Sequence, residues 1–219
     1  MIAYTVTGQP GNEGYLDISL SGDITGKNIY LNMTNKCPCS CVFCLRHTKE
    51  ELEGNTLWLK DGDPSVQEIL ELLGKYDLSI IGELVFCGFG EPLERIDDVV
   101  KIIDELKKTY PELKVRVNTI GLANLIHNRD VTKDLEGRVD TVSISLNAPT
   151  AEEFLELTRS RFGIESYESL KAFAVSCKPY VPNVVLSVIE KVMPEEKIEI
   201  CRGICDELGV ELRVRPFEG

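Results

Sequence analysis

From about residue 28 onward, short apolar runs of strand length alternate with amphipathic stretches of helical length, and that alternation limits the fold more than any other feature. The strand-like runs are 29–34, 83–87, 114–121 with its closing turn, 140–147, 184–189 and 211–217. Short apolar runs without polar alternation belong to strands buried on both faces. Between them, Asp63 as N-cap and Pro64 at the first position open a helix that carries Val66, Ile69, Leu70 and Leu73 to Gly74. Ile96, Val99, Val100, Ile103, Leu106 and Tyr110 form one stripe of the next, and 122–136 reads as polar and helix-like. Thr150 and Glu153 make a capping box before Phe154, Leu155 and Thr158; a further helix spans 166–177, and the last runs from Pro194 to Gly209. Strand–helix–strand units connect right-handedly into a parallel sheet. Six units fall short of the eight that close a barrel, so the count fits an open partial (β/α)6 barrel or a flat doubly wound sheet.

Ahead of this core, 3–7 and 15–20 alternate apolar and polar residues across a turn rich in Gly, Pro and Asn, as a β-hairpin does. The chain therefore divides into a hairpin extension, 1–27, and a core domain, 28–219. No run approaches the roughly 20 apolar residues that span a bilayer. The start, Met1 to Val6, lacks a basic region followed by an apolar one, so the cytoplasm is expected. With 36 acidic against 24 basic residues the net charge is -12, which opposes attraction to nucleic acid and to anionic lipid. Neither is an expected partner.

The eight cysteines, without secretory context, argue for reduced thiols and metal binding over disulfides. Four of them, Cys37, Cys39, Cys41 and Cys44, stand directly after the first core strand. Cys37, Cys41 and Cys44 read C-x-x-x-C-x-x-C, and three thiolates so close can hold a four-iron cluster with one iron left open. With Cys39 as a fourth ligand the same run makes a closed zinc site. Parallel α/β folds gather reactive groups at the carboxyl ends of strands, and the other motifs fall there. After the second strand comes Gly88-Phe89-Gly90-Glu91-Pro92, where Gly90 permits close approach and Glu91 can accept bonds from an ammonium, although a plain helix start fits as well. Asn118-Thr119-Ile120-Gly121 ends the third. Ser145 and Asn147 end the fourth on one face, able to reach a ligand or to cap the turn before Pro149. Ser187, Val188 and Ile189 end the fifth and look like ordinary core. Cys201 and Cys205, with Ile198 and Leu208, follow a buried helical stripe, which favours packing over a second cluster. His47 and His127 read as solvated.

Cys37-x-x-x-Cys41-x-Phe43-Cys44 after a strand resembles the signature of the radical S-adenosylmethionine (SAM) enzymes, and Gly88 to Pro92 resembles their G-G-E motif, with Phe89 where glycine is common. The resemblance implies the partial barrel, a 4Fe-4S cluster on Cys37, Cys41 and Cys44, and SAM bound at the open iron. Its reductive cleavage would give a 5'-deoxyadenosyl radical that takes hydrogen from a substrate. It further implies that Gly88, Gly90 and Glu91 hold the methionine end, that Ser145 and Asn147 hold the ribose, that Phe43 and Val188 lie near the adenine, and that Asn118 lines the site. The order of motifs, through Ser143-x-Ser145-x-Asn147-Ala148-Pro149, is most similar over about 28–217 to the small radical SAM proteins described as TatD family-associated. That implies an association with a TatD-like hydrolase, a reductant such as flavodoxin or ferredoxin, and a small-molecule or protein substrate. A glycyl-radical-enzyme activating protein and a non-catalytic iron-sulfur or zinc module remain the alternatives.

Overall fold

A computed structural model describes residues 1–9, 12–44 and 57–217. His47 and most of the segment that follows the cysteines lie outside the described residues. One mixed sheet of eight strands, in the order β2-β1-β3-β4-β5-β6-β7-β8, forms the centre. Strands β1 (Ala3–Gln9) and β2 (Asn12–Asp17) make the antiparallel hairpin, and β1 also pairs antiparallel with β3 (Ile29–Leu31), so the hairpin continues the sheet. From β3 onward every pairing is parallel: β4 (Leu84–Phe86), β5 (Val115–Thr119), β6 (Thr141–Ser145), β7 (Asn183–Ile189) and β8 (Glu211–Arg215) follow in chain order.

Side chains alternate between the two faces of a strand, and here the faces differ in kind. Leu84, Phe86, Val115, Val117, Val142, Ile144, Leu186 and Val188 share one face and are fully buried. They form one core with residues from the connecting helices, such as Ile69 of α1 (Val66–Leu73), Val99 of α2 (Ile96–Thr109), Phe154 of α4 (Ala151–Thr158), Phe173 of α5 (Glu165–Cys177) and Ile198 of α6 (Glu195–Leu208). The opposite face carries Tyr30, Arg116, Asn118, Ser143, Ser145, Ser187, Arg213 and Arg215, which line cavities. One face builds the core and the other lines cavities.

Several boundaries differ from the sequence reading. The first helix is capped by Ser65, not Asp63: Ser65 and Glu68 satisfy each other's backbone N–H groups in a capping box. The stretch 122–136 is broken, because Asn128 turns left-handed at φ 50° after α3 (Ala123–His127) and a separate 3-10 turn, Thr132–Leu135, follows. The first core strand stops at Leu31, which releases Asn32 and Thr34 into the cysteine loop. Cys201 and Cys205 are buried on the core side of α6, as their spacing predicts. Among the described residues no helix is long and apolar enough to cross a membrane.

Candidate functional site

The cysteine loop is pinned on both sides. Before it, the Thr34 hydroxyl accepts from Lys36 N–H (3.0 Å), and Arg95 donates to the carbonyls of Met33 and Pro64, each at 2.7 Å. Asn35 exchanges two hydrogen bonds with the backbone of Leu59, and Asn32 donates to the Leu57 carbonyl. Leu57 and Leu59 are buried while Trp58 is 45% exposed, so this apolar triplet anchors the loop's start instead of lying loose on the surface. Further on, Ser40 N–H donates to Thr158 O (2.8 Å), Val42 N–H to Leu157 O (2.9 Å) and Arg161 N–H to Pro38 O (2.9 Å). The last carbonyls of a helix have no partner within it. The end of α4 thus supplies the acceptors that fix the turn bearing the cysteines.

Cys37 and Cys41 both hydrogen-bond Cys39, whose side chain is 5% exposed. The bond to Cys39, aided by burial, holds the Cys37 thiol well above the usual range. The Cys39 thiol is pushed up to about 12: its bond with Cys37 lowers it, and the bond with Cys41 and burial outweigh that. Among the described residues no three Cys, His, Asp or Glu side chains stand ready in a metal-ligating arrangement. Cys37, Cys41 and Cys44 nevertheless border one cavity, and soft thiolates at this spacing are the donor set of an iron-sulfur cluster. The residues present therefore fit that group.

Glu91 ends the β4 loop as the cap of the 3-10 turn Pro92–Arg95 that leads into α2. It is 4% exposed. Its Oε1 accepts from Leu93 N–H (3.0 Å) and the Thr119 hydroxyl (2.7 Å), and its Oε2 from Ile120 N–H (2.8 Å). Burial raises the carboxyl to about 7, and those three bonds pull it back towards the charged form. A carboxylate offers about four acceptor positions, so one remains open. Thr119 in turn accepts from Gly121 N–H at 3.0 Å, and the bonds of Thr119 and Ile120 to Glu91 tie the β4 and β5 loops together. His127 is not merely solvated: its Nε2–H donates to the Leu93 carbonyl (2.7 Å) and braces the same turn.

The flanking glycines serve the chain itself. A Cβ on Gly88 would lie 2.2 Å from Asn32 Oδ1, and one on Gly90 2.1 Å from the Thr34 carbonyl oxygen. The close approach that Gly90 permits is thus between the β4 loop and the cysteine loop, where Glu91 N–H also donates to Lys36 O (2.8 Å).

One cavity of about 220 Å³ gathers Cys37, Cys41, Phe43, Cys44, Gly88, Gly90, Glu91, Asn118, Ser145 and Asn147. Val188 is turned to the helix side, with no exposed surface, and its neighbour Ile189 lines the cavity instead. Cys87, Thr119 and Arg215 also line it and were not singled out from the sequence; strand alternation is the signal that finds Arg215. Asn147 adopts φ 56° and is 3% exposed. Among the described residues its Oδ1 and that of Asn118 are buried without a hydrogen-bond partner. Leaving such acceptors unsatisfied costs about 1–3 kcal/mol each, so their place on the cavity wall fits a ligand with hydroxyl or amine donors.

Fold and cavity define a class: α/β proteins with a thiol-lined cavity at the carboxyl ends of parallel strands. The sequence profile of the Radical SAM superfamily matches residues 31–202, and the chain belongs to that superfamily, whose enzymes use a 4Fe-4S cluster and SAM. GTP 3',8-cyclase of Paenarthrobacter nicotinovorans is 34% identical over 137 residues, 60% of this chain and 35% of the cyclase. A probable dual-specificity RNA methyltransferase RlmN of Pseudothermotoga lettingae is 30% identical over 124 residues, 53% of this chain and 32% of that protein. The chain thus spans about a third of the length of these curated relatives. Among solved structures, Streptococcus suis SuiB bound to its precursor peptide SuiA superposes with a TM-score of 0.65 at 13% identity, over 89% of this chain and 40% of SuiB.

Proposed function

We propose that this protein is a radical SAM enzyme that reductively cleaves SAM and abstracts hydrogen from a substrate. The observation that carries the reading is the convergence on one cavity of Cys37, Cys41 and Cys44 with Glu91, Asn118, Ser145 and Asn147. When bound, the cluster supplies the electron that splits SAM, and SAM supplies the 5'-deoxyadenosyl radical. Cys37, Cys41 and Cys44 hold the cluster as thiolates, on a loop fixed by the end of α4. Glu91 directs its open acceptor position to the SAM ammonium, at a turn that Gly88 and Gly90 allow to close on the cysteine loop. The buried Oδ1 of Asn147, with Ser145, takes the ribose hydroxyls; Asn118 adds a second acceptor; Phe43 and Ile189 wall the adenine. Holding and orienting the reacting groups is the protein's share in cofactor chemistry of this kind.

In this reading the six parallel strands β3 to β8 form a partial (β/α)6 barrel, residues 28–219 are the catalytic core, and the hairpin of 1–27 extends it. A flavodoxin or ferredoxin supplies electrons in the cytoplasm, and the motif order supports kinship with the TatD-associated group and its hydrolases. The test is anaerobic reconstitution with iron and sulfide. About four irons per chain with broad brown absorbance are expected, lost in Cys37→Ala, Cys41→Ala and Cys44→Ala but kept in Cys39→Ala. Colourless protein that holds zinc and depends on Cys39 overturns the proposal.

A further inference from the structure

A second cavity, of about 280 Å³, lies on the same sheet face nearer the hairpin and shares part of its wall with the first, including Cys87, Asn118, Ser145 and Arg215. Its chemistry is different. Three arginines, Arg116, Arg213 and Arg215, line it, and no carboxylate does among the described residues. Arg116 also pairs with Glu83, whose Oε2 lies 3.0 Å from its Nε. Arg213 and Arg215 are two residues apart on β8 and so face the same way. Both add positive charge to a wall that carries no carboxylate among the described residues, with Arg215 half-buried and Arg213 open to solvent. The chain carries a net charge of -12, so this pocket opposes the sign of the whole molecule.

The facing wall is aromatic. Tyr4 stacks on Tyr30 with ring centroids 5.3 Å apart, Tyr15 stands edge-on to Tyr4 at 5.5 Å, and Phe89 joins the same buried cluster. Ser143 of β6 and Ser187 of β7 line the cavity between Arg116 of β5 and the two arginines of β8. Such a lining suits a molecule with an anionic head and a flat or apolar body. A polyanion is disfavoured, because the overall charge repels it while the local cations satisfy only one head group.

We propose that this second cavity is the substrate site, and that the substrate is a small carboxylate or phosphate ester whose anionic group is held by Arg213 and Arg215 against the tyrosine wall. The assignment rests on the first cavity being the SAM site, since a substrate must lie beside the radical. Arginine's planar fork matches both carboxylate and phosphate, so the experiment separates the two sources.

Isothermal titration compares phenyl phosphate, 3-phenylpropionate and the neutral 3-phenylpropan-1-ol on wild type, Arg213→Gln, Arg215→Gln and Arg202→Gln, the last an exposed residue of α6. Both metal-free and cluster-loaded protein are titrated. At least one anion is expected to bind about tenfold or more tightly than the alcohol, and which one is tighter names the head group. Arg213→Gln and Arg215→Gln should each lose about tenfold for that anion, while Arg202→Gln matches wild type. Iron content and SAM affinity should stay unchanged in Arg213→Gln. Equal binding of anion and alcohol, no anion binding up to about 10 mM, or an Arg213→Gln variant that binds the anion as wild type does would overturn the assignment. An equal loss of SAM affinity in Arg213→Gln overturns it too, by moving the arginine to the SAM site. Wild type that binds the anion yet cleaves no SAM sinks the reading of the first cavity instead, so the two fail separately.

Discussion

Replacing Gly90 with alanine adds one carbon where two backbone segments already touch. That carbon would stand 2.1 Å from the Thr34 carbonyl oxygen, 2.6 Å from that of Lys36 and 2.8 Å from the Thr34 carbonyl carbon. Ordinary contact begins at 3.4 Å, so the cysteine loop must retreat by roughly 1 Å, and no rotamer change helps because the obstacles are main chain. The retreat also breaks the 2.8 Å bond from Glu91 N–H to Lys36 O. Overpacking of this kind costs about 1–3 kcal/mol and a lost hydrogen bond about 1 kcal/mol. A total near 3 kcal/mol lowers the melting temperature of a domain this size by roughly 6–12 °C. The assay is thermal unfolding of metal-free, reduced protein, which removes the cofactors from the comparison. Gly203 is the control: it lies in α6 with nothing within 4 Å of an added Cβ. Gly203→Ala should therefore stabilise by about 0.5–1 kcal/mol. A Gly90→Ala variant that melts within about 2 °C of wild type would refute the argument that the glycine exists for the approach of the two loops.

Glu91→Gln should keep its iron but bind SAM about ten- to a hundredfold more weakly, while Glu207→Gln, on an exposed face of α6, should change neither; titration of SAM into cluster-loaded protein reads both. The amide must also leave either Leu93 N–H or Ile120 N–H without an acceptor, so a melting point several degrees lower should accompany the loss. Cys201→Ser and Cys205→Ser should retain full iron content and lose thermal stability, because each puts a hydroxyl into a fully packed helix face; loss of a separate cluster signal in either would show a second metal site.

The fold was largely legible because the strands that build it are buried on the helix side and announce themselves as apolar runs. The cysteine signature was legible because its residues are neighbours in sequence. Val188 shows where such reading ends. The strand was found, but which of three successive residues points to the cavity depends on register against β6 and β8, and Ser145 pairs with Ser187, not Val188. The capping of α1 turned on a single residue's choice of φ and ψ, which Asp63 and Ser65 offer equally on paper. The grip of α4 on the cysteine loop joins backbone atoms more than a hundred residues apart, and backbone hydrogen bonds leave no trace in side-chain identity. The sequence marks Glu91 as an acceptor for an ammonium. That it also locks the β4 loop to β5 through Thr119 and Ile120 required coordinates.

The central claim is that the cavity over the cysteine loop binds and splits SAM, and its most direct test is the formation of 5'-deoxyadenosine. Cluster-loaded protein is reduced with dithionite under anaerobic conditions, incubated with SAM, and the nucleoside is quantified by liquid chromatography. The account predicts 5'-deoxyadenosine and methionine in equal amounts from wild type and from Cys39→Ala, and none above background from Cys37→Ala, Cys41→Ala or Cys44→Ala. Wild-type protein that carries about four irons and leaves SAM intact under reduction would contradict it.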